Sequence, residues 1–185
     1  CLTKIQTQGR RCKDITHKLL SFARKTDHAV KTVQLNELIT EVAGLSEQRA
    51  LHNKVHIQTS LQEDLPIVNV SPSEVQQVLL NLLNNSFDAM DEKGGTINIV
   101  SKTSGQYAVV EVADTGPGIP DDVLPRIFDP FFTTKPVGKG TGLGLSICYG
   151  IITKMGGDIH VTSAVDHGTT FQLLFPLPDQ ELEKN

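Results

Sequence analysis

Apolar residues at alternating intervals of four and three mark the first segment of the chain as a helix. These positions, apolar except for Gln8, are Cys1, Ile5, Gln8, Cys12, Ile15, Leu19 and Phe22. A stripe this narrow is typical of a helical bundle or coiled coil, whereas an ordinary amphipathic surface helix is the alternative. We predict one helix over residues 1–27, and the polar stretch that follows it places a boundary near residue 31.

Three later segments have the periodicity of helices. They cover residues 35–51, 72–90 and 140–155. Asn36 is the predicted N-cap of the first of these helices. Ser71 is the predicted N-cap of the second, with Glu74 completing a capping box. The third helix is expected to close at the glycine pair 156–157.

Five other segments alternate apolar and polar residues as strands do. They are residues 54–61, 94–103 and 107–114, followed by two strands within 158–178 that are joined by a turn at 166–168. The second and third of these strands form a predicted antiparallel pair. Helices and strands without a repeating βα unit predict an α+β fold, with a sheet that carries its helices on one face.

The composition excludes several classes of function. The 185 residues, 38% hydrophobic and 21% charged, can form one domain with an additional element. A net charge of −4 argues against non-specific nucleic-acid binding. The three cysteines form no CxxC pair, which favours reduced thiols and a cytoplasmic location. Because the first residues already have a helical pattern, we expect a fragment of a longer protein, whose upstream segments could anchor it in a membrane.

One helical segment carries polar residues within apolar surroundings. The segment 72–90 is apolar nearly all round, yet it contains Asn81, Asn85 and Asp88. At 100° per residue these three side chains lie on one side of the helix, within about 60°. Buried amides need hydrogen-bond partners. The three side chains therefore either form a polar network with a neighbouring strand or face a pocket that holds a metal ion and phosphate, where amide oxygens suit Mg²⁺.

A carboxylate stands where a predicted strand enters a glycine-rich turn. In the stretch ADTGPGIP, Asp114 lies at the end of the predicted strand and begins a turn that contains Gly116 and Gly118. A carboxylate at this place can accept a hydrogen bond from the exocyclic amine of a flat base, and the glycines leave room for the ring. The alternative is a simple Asp-Gly turn.

The long segment between that turn and the last helix has the composition of a lid. Its three phenylalanines are Phe128, Phe131 and Phe132. We predict that these aromatic residues anchor the base of the lid, while Lys135 and Lys139 supply positive charge. The glycines of GTGLGLS either form an ordinary flexible loop or let backbone N–H groups at the helix start approach a phosphate.

Five short motifs in this order carry a family resemblance. The stretches are NLLNN, DTGPGI, IFDPFF, GTGLGLS and GTTF. They resemble the N, G1, F, G2 and G3 boxes of the Bergerat-fold ATP-binding domain of sensor histidine kinases. The preceding ITHKLLSFAR resembles the second helix of the dimerisation and phosphotransfer hairpin. The resemblance implies a hairpin helix over 1–31, an ATP-binding domain over 32–178 built as a two-layer α/β sandwich with a mixed, mostly antiparallel sheet, and a tail over 179–185.

The resemblance assigns a role to each motif residue. Asn85 would bind Mg²⁺, Asn81 would lie beside the phosphates, and Lys135 would contact a phosphate, which makes Asn81 and Lys135 the predicted catalytic residues. Asp114 would take the adenine amine with Thr169 nearby. The residues expected to shape the adenine pocket or to lie along the phosphates are Gly116, Gly118, Gly140, Thr141, Gly142, Leu143 and Gly144. This chain has Asp88 where many family members carry Lys or Arg. Lys135 and the glycine amides therefore become the stronger candidates for phosphate contacts.

The resemblance also implies the reaction. Hydrolysing branches of the superfamily carry a Glu general base at the position of Asn81, so the resemblance implies transfer of the ATP γ-phosphoryl group rather than hydrolysis. No histidine has the H-E context of a phosphoacceptor, and His17 is followed by Lys. The acceptor histidine is therefore expected outside the fragment. The implied ligands and partners are ATP, Mg²⁺, the phosphoacceptor hairpin of the same protein, a response regulator and a second copy in a homodimer. A nucleotide-binding regulatory module and a superfamily ATPase are the alternatives.

Overall fold

A computed structural model describes residues 29–90, 93–136 and 140–178. The predicted helix over 1–27, the predicted tail and Lys139 lie outside these residues, so the predictions about them are not addressed by the fold. Within the described ranges, no helix combines the length and the apolar character needed to cross a membrane.

The described chain contains seven strands. They are β1 (Lys31–Val33), β2 (Val55–Leu61), β3 (Val68–Val70), β4 (Gly95–Ser104), β5 (Tyr107–Asp114), β6 (Asp158–Ser163) and β7 (Thr169–Pro176). Five of them form one sheet in the order β2-β4-β5-β7-β6. Only the pairing of β2 with β4 is parallel, and the β4–β5 pair is antiparallel as predicted. The sheet is therefore mixed and mostly antiparallel.

Three helices cover one face of this sheet, which confirms the predicted α+β fold. They are α1 (Leu35–His52), α2 (Pro72–Ala89) and α3 (Gly144–Lys154). Ile99, Val112 and Phe171 lie side by side on β4, β5 and β7, and all three are buried. They pack in the same core as Leu82 and Phe87 of α2. Each such side chain contributes about 1.5–3 kcal/mol when it is buried, so the apolar alternation holds the two layers together.

A second, two-stranded sheet was not predicted from the sequence. β1 pairs antiparallel with β3, with Lys31 opposite Val70 and Val33 opposite Val68. Each strand has three residues, which is too short for alternation to be recognised. Because the pair is antiparallel, the start of α1 lies beside the segment that precedes β3, where Gln34 Nε2 donates a hydrogen bond to the Leu65 carbonyl oxygen at 2.8 Å. The boundary near residue 31 stays a prediction.

The predicted cap of the first described helix was wrong. α1 begins at Leu35, and its N-cap is Gln34, whose side chain accepts a hydrogen bond from the backbone N–H of Asn36. The Asn36 side chain instead donates to the Gln62 carbonyl oxygen at 2.8 Å and accepts from Ser101 Oγ at 2.7 Å. Asn36 therefore ties the helix to the sheet rather than capping the helix.

The predicted capping box of α2 was also wrong in its main contact. Ser71 occupies the N-cap position, but its hydroxyl makes no capping hydrogen bond and lies 3.2 Å from Ser73 Oγ. Glu74 is nearly buried, and its Oε1 accepts a hydrogen bond from Lys154 Nζ at 3.0 Å. Glu74 therefore joins the first turn of α2 to the last turn of α3.

Candidate active site

One cavity of about 270 Å³ lies between α2, the ends of β5 and β7, and the loop that leads to α3. Ten of the twelve predicted site residues line it: Asn81, Asn85, Asp114, Gly118, Lys135, Gly140, Thr141, Gly142, Gly144 and Thr169. Asn85 and Asp114, which come from a helix and a strand, thus open onto the same space. The structure brings the separate motifs together at one place.

The polar side of α2 faces the loop and α3. Asn81 Nδ2 donates a hydrogen bond to the Gly144 carbonyl oxygen at 3.4 Å. Asn85 Oδ1 accepts from Lys135 Nζ at 3.3 Å. The expected alternative, a polar network with a neighbouring strand, does not describe these two amides, whose hydrogen bonds in the described residues go to the loop and to α3.

Asp88 lies between two cations at the rim of the cavity. Its Oδ2 is 2.6 Å from Lys135 Nζ, and its Oδ1 is 2.6 Å from Nη2 of Arg49 on α1. Arg49 Nη1 also donates to Asn84 Oδ1. The three charged side chains are about one third exposed or more, so each ion pair stabilises the fold by about 1 kcal/mol or less. The contribution of Arg49 was not predicted, because α1 carries no motif.

Asp114 also lines the cavity and is nearly buried. Its Oδ1 accepts from the backbone N–H of Gly116 at 2.9 Å, and its Oδ2 accepts from Ser86 Oγ at 3.0 Å. The side chain therefore closes its own turn, as the simple-turn interpretation expects, and it also lines the cavity, while its contact with a base stays a prediction. Thr169 lies opposite Asp114 in the β5–β7 pair, with its Oγ1 3.0 Å from Ser163 Oγ.

Two predicted residues do not line the cavity. Gly116 lies behind Asp114, to which it donates its N–H, and Leu143 is the N-cap of α3. Apolar residues that were not predicted also line the cavity, including Ile119, Phe132 and Phe171. Strand alternation offered a signal for one of them, because Phe171 stands two residues after Thr169 on the same side of β7.

The glycine-rich stretch turns before it becomes helical. Gly142 has a left-handed backbone, with φ of +66°, and α3 begins only at Gly144, so the predicted helix start at residue 140 was wrong. The Phe131 N–H donates to the Gly142 carbonyl oxygen at 2.9 Å. A Cβ atom at position 142 would lie 2.3 Å from the Phe131 carbonyl carbon. The turn therefore requires glycine and presents the first N–H groups of α3, which lack acceptors within the helix, beside the cavity.

The phenylalanines of the loop have different environments. Phe128 packs against the core and lies 5.5 Å from the ring of Tyr149. The guanidinium carbon of Arg126 lies over the Phe132 ring, 4.5 Å from the ring centroid. Phe131 is 74% exposed, so the prediction that all three anchor the loop was wrong for this residue.

A buried thiol lies behind the polar side of α2. Cys148 of α3 is fully buried, and its Sγ is 3.9 Å from the Val78 carbonyl oxygen. Burial raises the pKa of this thiol to about 12, although a hydrogen bond with Asn81 works in the opposite direction. Cys148 therefore stays neutral at ordinary pH.

Known proteins resemble this chain in both sequence and fold. The family model described as "Histidine kinase-, DNA gyrase B-, and HSP90-like ATPase" matches residues 70–179, which is more than half of the chain. Sporulation kinase A of Bacillus subtilis (strain 168) is 40% identical over 163 residues, covering 88% of this chain and 26% of that protein. Sensor kinase CckA of Brucella abortus (strain 2308) is 36% identical over 190 residues, covering 95% of this chain and 20% of CckA. The chain thus spans about a fifth to a quarter of the length of these two relatives.

The solved structures agree with the sequence relatives. The nucleotide-free catalytic domain of histidine kinase ThkA is 38% identical and superposes with a TM-score of 0.71, covering 80% of this chain and 95% of that domain. ThkA in complex with the response regulator protein TrrA is 28% identical with a TM-score of 0.74, covering 94% of this chain and 49% of ThkA. The chain therefore belongs to the histidine kinase-, DNA gyrase B- and HSP90-like ATPase family, and it contains the ATP-binding catalytic domain of a histidine kinase.

Proposed function

We propose that the cavity between α2 and β5 binds ATP together with Mg²⁺ and delivers the γ-phosphoryl group to a histidine outside this fragment. The observation that carries this proposal is the opening of Asn85 and Asp114 onto one cavity. An amide and a carboxylate that line one space suit a ligand with a cation-bearing phosphate end and a base end. The relatives named kinases support the same reaction.

The Asp114 end is the proposed adenine site. Both carboxylate oxygens already accept a hydrogen bond from the protein, which holds the carboxylate in place. A carboxylate oxygen has room for a second donor, and the exocyclic amine of adenine supplies one. Thr169 lies opposite Asp114 in the β5–β7 pair, and Gly118, in the turn after Asp114, would leave room for the ring.

The α2 and α3 end is the proposed phosphate site. Lys135 places its ammonium over the cavity, and the free N–H groups of the first turn of α3 favour negative charge. Asn81 holds this turn through its hydrogen bond to Gly144. The glycine-rich stretch from Gly140, with Thr141 and Leu143, completes the backbone around the phosphates.

Asn85 is the proposed Mg²⁺ ligand. Its Oδ1 lies in the cavity and already accepts from a cation, the Lys135 ammonium, at 3.3 Å, so its donor chemistry fits a hard divalent ion. Water and phosphate oxygens would supply the remaining ligands of Mg²⁺, and the ion would neutralise charge on the triphosphate. Asn85 would fix the position of the phosphate chain relative to Asn81 and Lys135.

Asn81 favours phosphotransfer over hydrolysis. An amide at this position cannot take a proton from water, so the residue can orient the phosphates but cannot serve as a general base. In the proposed reaction an imidazole nitrogen forms a bond to the γ-phosphorus as the bond to the bridging oxygen breaks, and ADP leaves. The protein contributes position and neutralising charge.

The remaining partners follow from the relatives. We infer a phosphoacceptor hairpin in the same protein, a homodimer of the full-length chain, a cytoplasmic site of action and a response regulator that receives the phosphate. The crystal structure of histidine kinase ThkA in complex with the response regulator protein TrrA supports the last of these. The net charge of −4 supports the absence of nucleic acid among the partners.

The decisive experiment supplies the hairpin of the full-length protein in trans with γ-labelled ATP and Mg²⁺. Acid-labile, base-stable label on the hairpin is the expected result, and it should be lost in Asn85→Ala. The matched control is Asn98→Ala, an asparagine on β4 that is outside the cavity. ATP turnover without protein label would overturn the kinase in favour of an ATPase, and ATP binding with neither turnover nor label would indicate a regulatory module.

A further inference from the structure

Ser86 is a polar side chain inside the core, and none of the predicted roles uses it. It lies on α2, directly after Asn85, and is 3% exposed. Its Oγ donates a hydrogen bond to Asp114 Oδ2 at 3.0 Å, across 28 residues of sequence. A buried hydroxyl needs such a partner, but the partner here is the carboxylate that faces the cavity.

The second oxygen of Asp114 is held by the backbone. The N–H of Gly116 donates to Oδ1 at 2.9 Å. With one donor on each oxygen, the plane of the carboxylate is fixed from two sides, by α2 and by the turn after β5. Loss of the Gly116 contact would require a backbone change, whereas loss of the Ser86 contact requires a single side-chain oxygen.

We propose that Ser86 is a positioning residue that sets the base specificity of the site by orienting Asp114. This inference rests on the proposed adenine role of Asp114. The single hydroxyl proton of Ser86 is used on Asp114, so Ser86 presents only lone pairs to other groups. Asp114, the member of the pair that lines the cavity, offers acceptors alone, which suits the exocyclic amine of adenine and opposes the carbonyl oxygen that guanine carries at the same place.

Consecutive residues of α2 thus serve the two ends of the cavity. Asn85 points to Lys135 and the phosphate end, and Ser86, turned by about 100° on the helix, points to Asp114 and the base end. A shift of α2 would move both contacts together. The Ser86 substitution separates them, because it removes a contact at the base end and leaves Asn85 unchanged.

The test measures binding of ATP, GTP and purine riboside triphosphate, which lacks the exocyclic amine, to the full chain with Mg²⁺. Ser86→Ala should weaken ATP binding by about tenfold, the size expected for a hydrogen bond to a charged group. It should change the affinity for purine riboside triphosphate by no more than about twofold, because that analogue has no exocyclic amine to contact Asp114. In an Asp114→Asn background, Ser86→Ala should change ATP binding little further.

Two variants separate orientation from packing. Ser46→Ala removes another buried helical hydroxyl, which donates to the Val42 carbonyl oxygen at 2.8 Å, and it should affect none of the three ligands. Ser86→Cys keeps a weaker donor at the site and should bind ATP with an affinity between those of the wild type and Ser86→Ala. Equal loss of ATP and of the purine analogue in Ser86→Ala would overturn the proposal.

The outcomes also distinguish this inference from the proposed function. If Asp114→Asn weakens ATP selectively while Ser86→Ala does not, the positioning role fails and the adenine site stands. If the wild type binds ATP and the purine analogue equally and Asp114→Asn changes neither, the adenine role of Asp114 fails and the inference fails with it.

Discussion

Asp88 of α2 and Lys135 of the loop are 47 residues apart in sequence, yet their Oδ2 and Nζ atoms lie 2.6 Å apart. The same ammonium is 3.3 Å from Asn85 Oδ1. Because Arg49 holds the other oxygen of Asp88, the loop is joined through one carboxylate to α1 and α2. This carboxylate sets the charge at the proposed phosphate end.

Asp88→Asn should tighten binding of the Mg²⁺–ATP complex. The change removes a negative charge that repels the triphosphate and competes for Lys135, so we expect about a three- to tenfold gain at low salt that shrinks at high salt. Calorimetric titration at two salt concentrations measures it. Asp158→Asn, an exposed carboxylate paired with His160, is the control. Weaker binding at both salt concentrations would show that Asp88 assists the phosphates instead.

Asn85→Ala should remove the dependence of ATP binding on Mg²⁺. The proposed ligand oxygen is lost, so we expect affinity with Mg²⁺ to fall at least about tenfold, while affinity in the presence of a chelator changes little. Titrations with and without the metal measure both values. An unchanged metal dependence would rule out the ligand role of Asn85.

Asp114→Asn should weaken binding of ATP much more than binding of GTP. The amide offers a donor where the carboxylate offered only acceptors, so we expect about a tenfold loss for ATP and a small change or a gain for GTP. Competition binding with both nucleotides gives the ratio. A loss of equal size for the two would contradict base recognition at this residue.

Gly168→Ala should destabilise the domain. Gly168 has φ of +81°, and a Cβ atom there would lie 1.9 Å from the Asp114 carbonyl oxygen. We expect a loss of about 2 kcal/mol or more and a lower Tm, measured by thermal and denaturant unfolding. Gly44→Ala in α1, where a Cβ atom meets nothing within 4 Å, should instead stabilise by about 0.5–1 kcal/mol. Equal stability of the two variants would refute the steric requirement.

Cys148 should make the domain less stable in alkaline solution. Its pKa rises from an ordinary value of 9.0 to about 12 on burial, so between these values the unfolded chain loses a proton that the folded chain keeps. Stability should therefore fall by about 1.4 kcal/mol per pH unit in that window and be unaffected by this group below it. Denaturant unfolding of the wild type and Cys148→Ala at rising pH checks this. A constant difference in stability between the two proteins would contradict the buried neutral thiol.

The main strands and the spacing of the α2 side chains were accessible from local pattern. Apolar and polar residues alternate along β4 and β5, as expected for a sheet with one buried face. The predicted bounds of both strands were confirmed to within a residue or two. Asn81, Asn85 and Asp88 share one side of α2 because helical geometry repeats every 3.6 residues. The motif order then led to the correct fold and family.

Local pattern failed where a neighbour in space defines the structure. Gln34 rather than Asn36 caps α1, since the Asn36 side chain is bonded to Gln62 and Ser101. The third helix starts at Gly144 because Gly142 packs on the Phe131 backbone. Propensity describes what a residue can do, and the packed chain selects among the options.

The amino-acid order thus accounts for the α+β class, the core-facing positions and the residues available for chemistry, because periodicity and turn geometry act over a few neighbouring residues. The pairs Ser86–Asp114, Asp88–Lys135 and Arg49–Asp88 required the folded chain. They join residues 28, 47 and 39 positions apart, and their contacts depend on how helices seat on the sheet to within an ångström. Such distances arise from packing of the whole core, for which no local pattern in the sequence carries a signal.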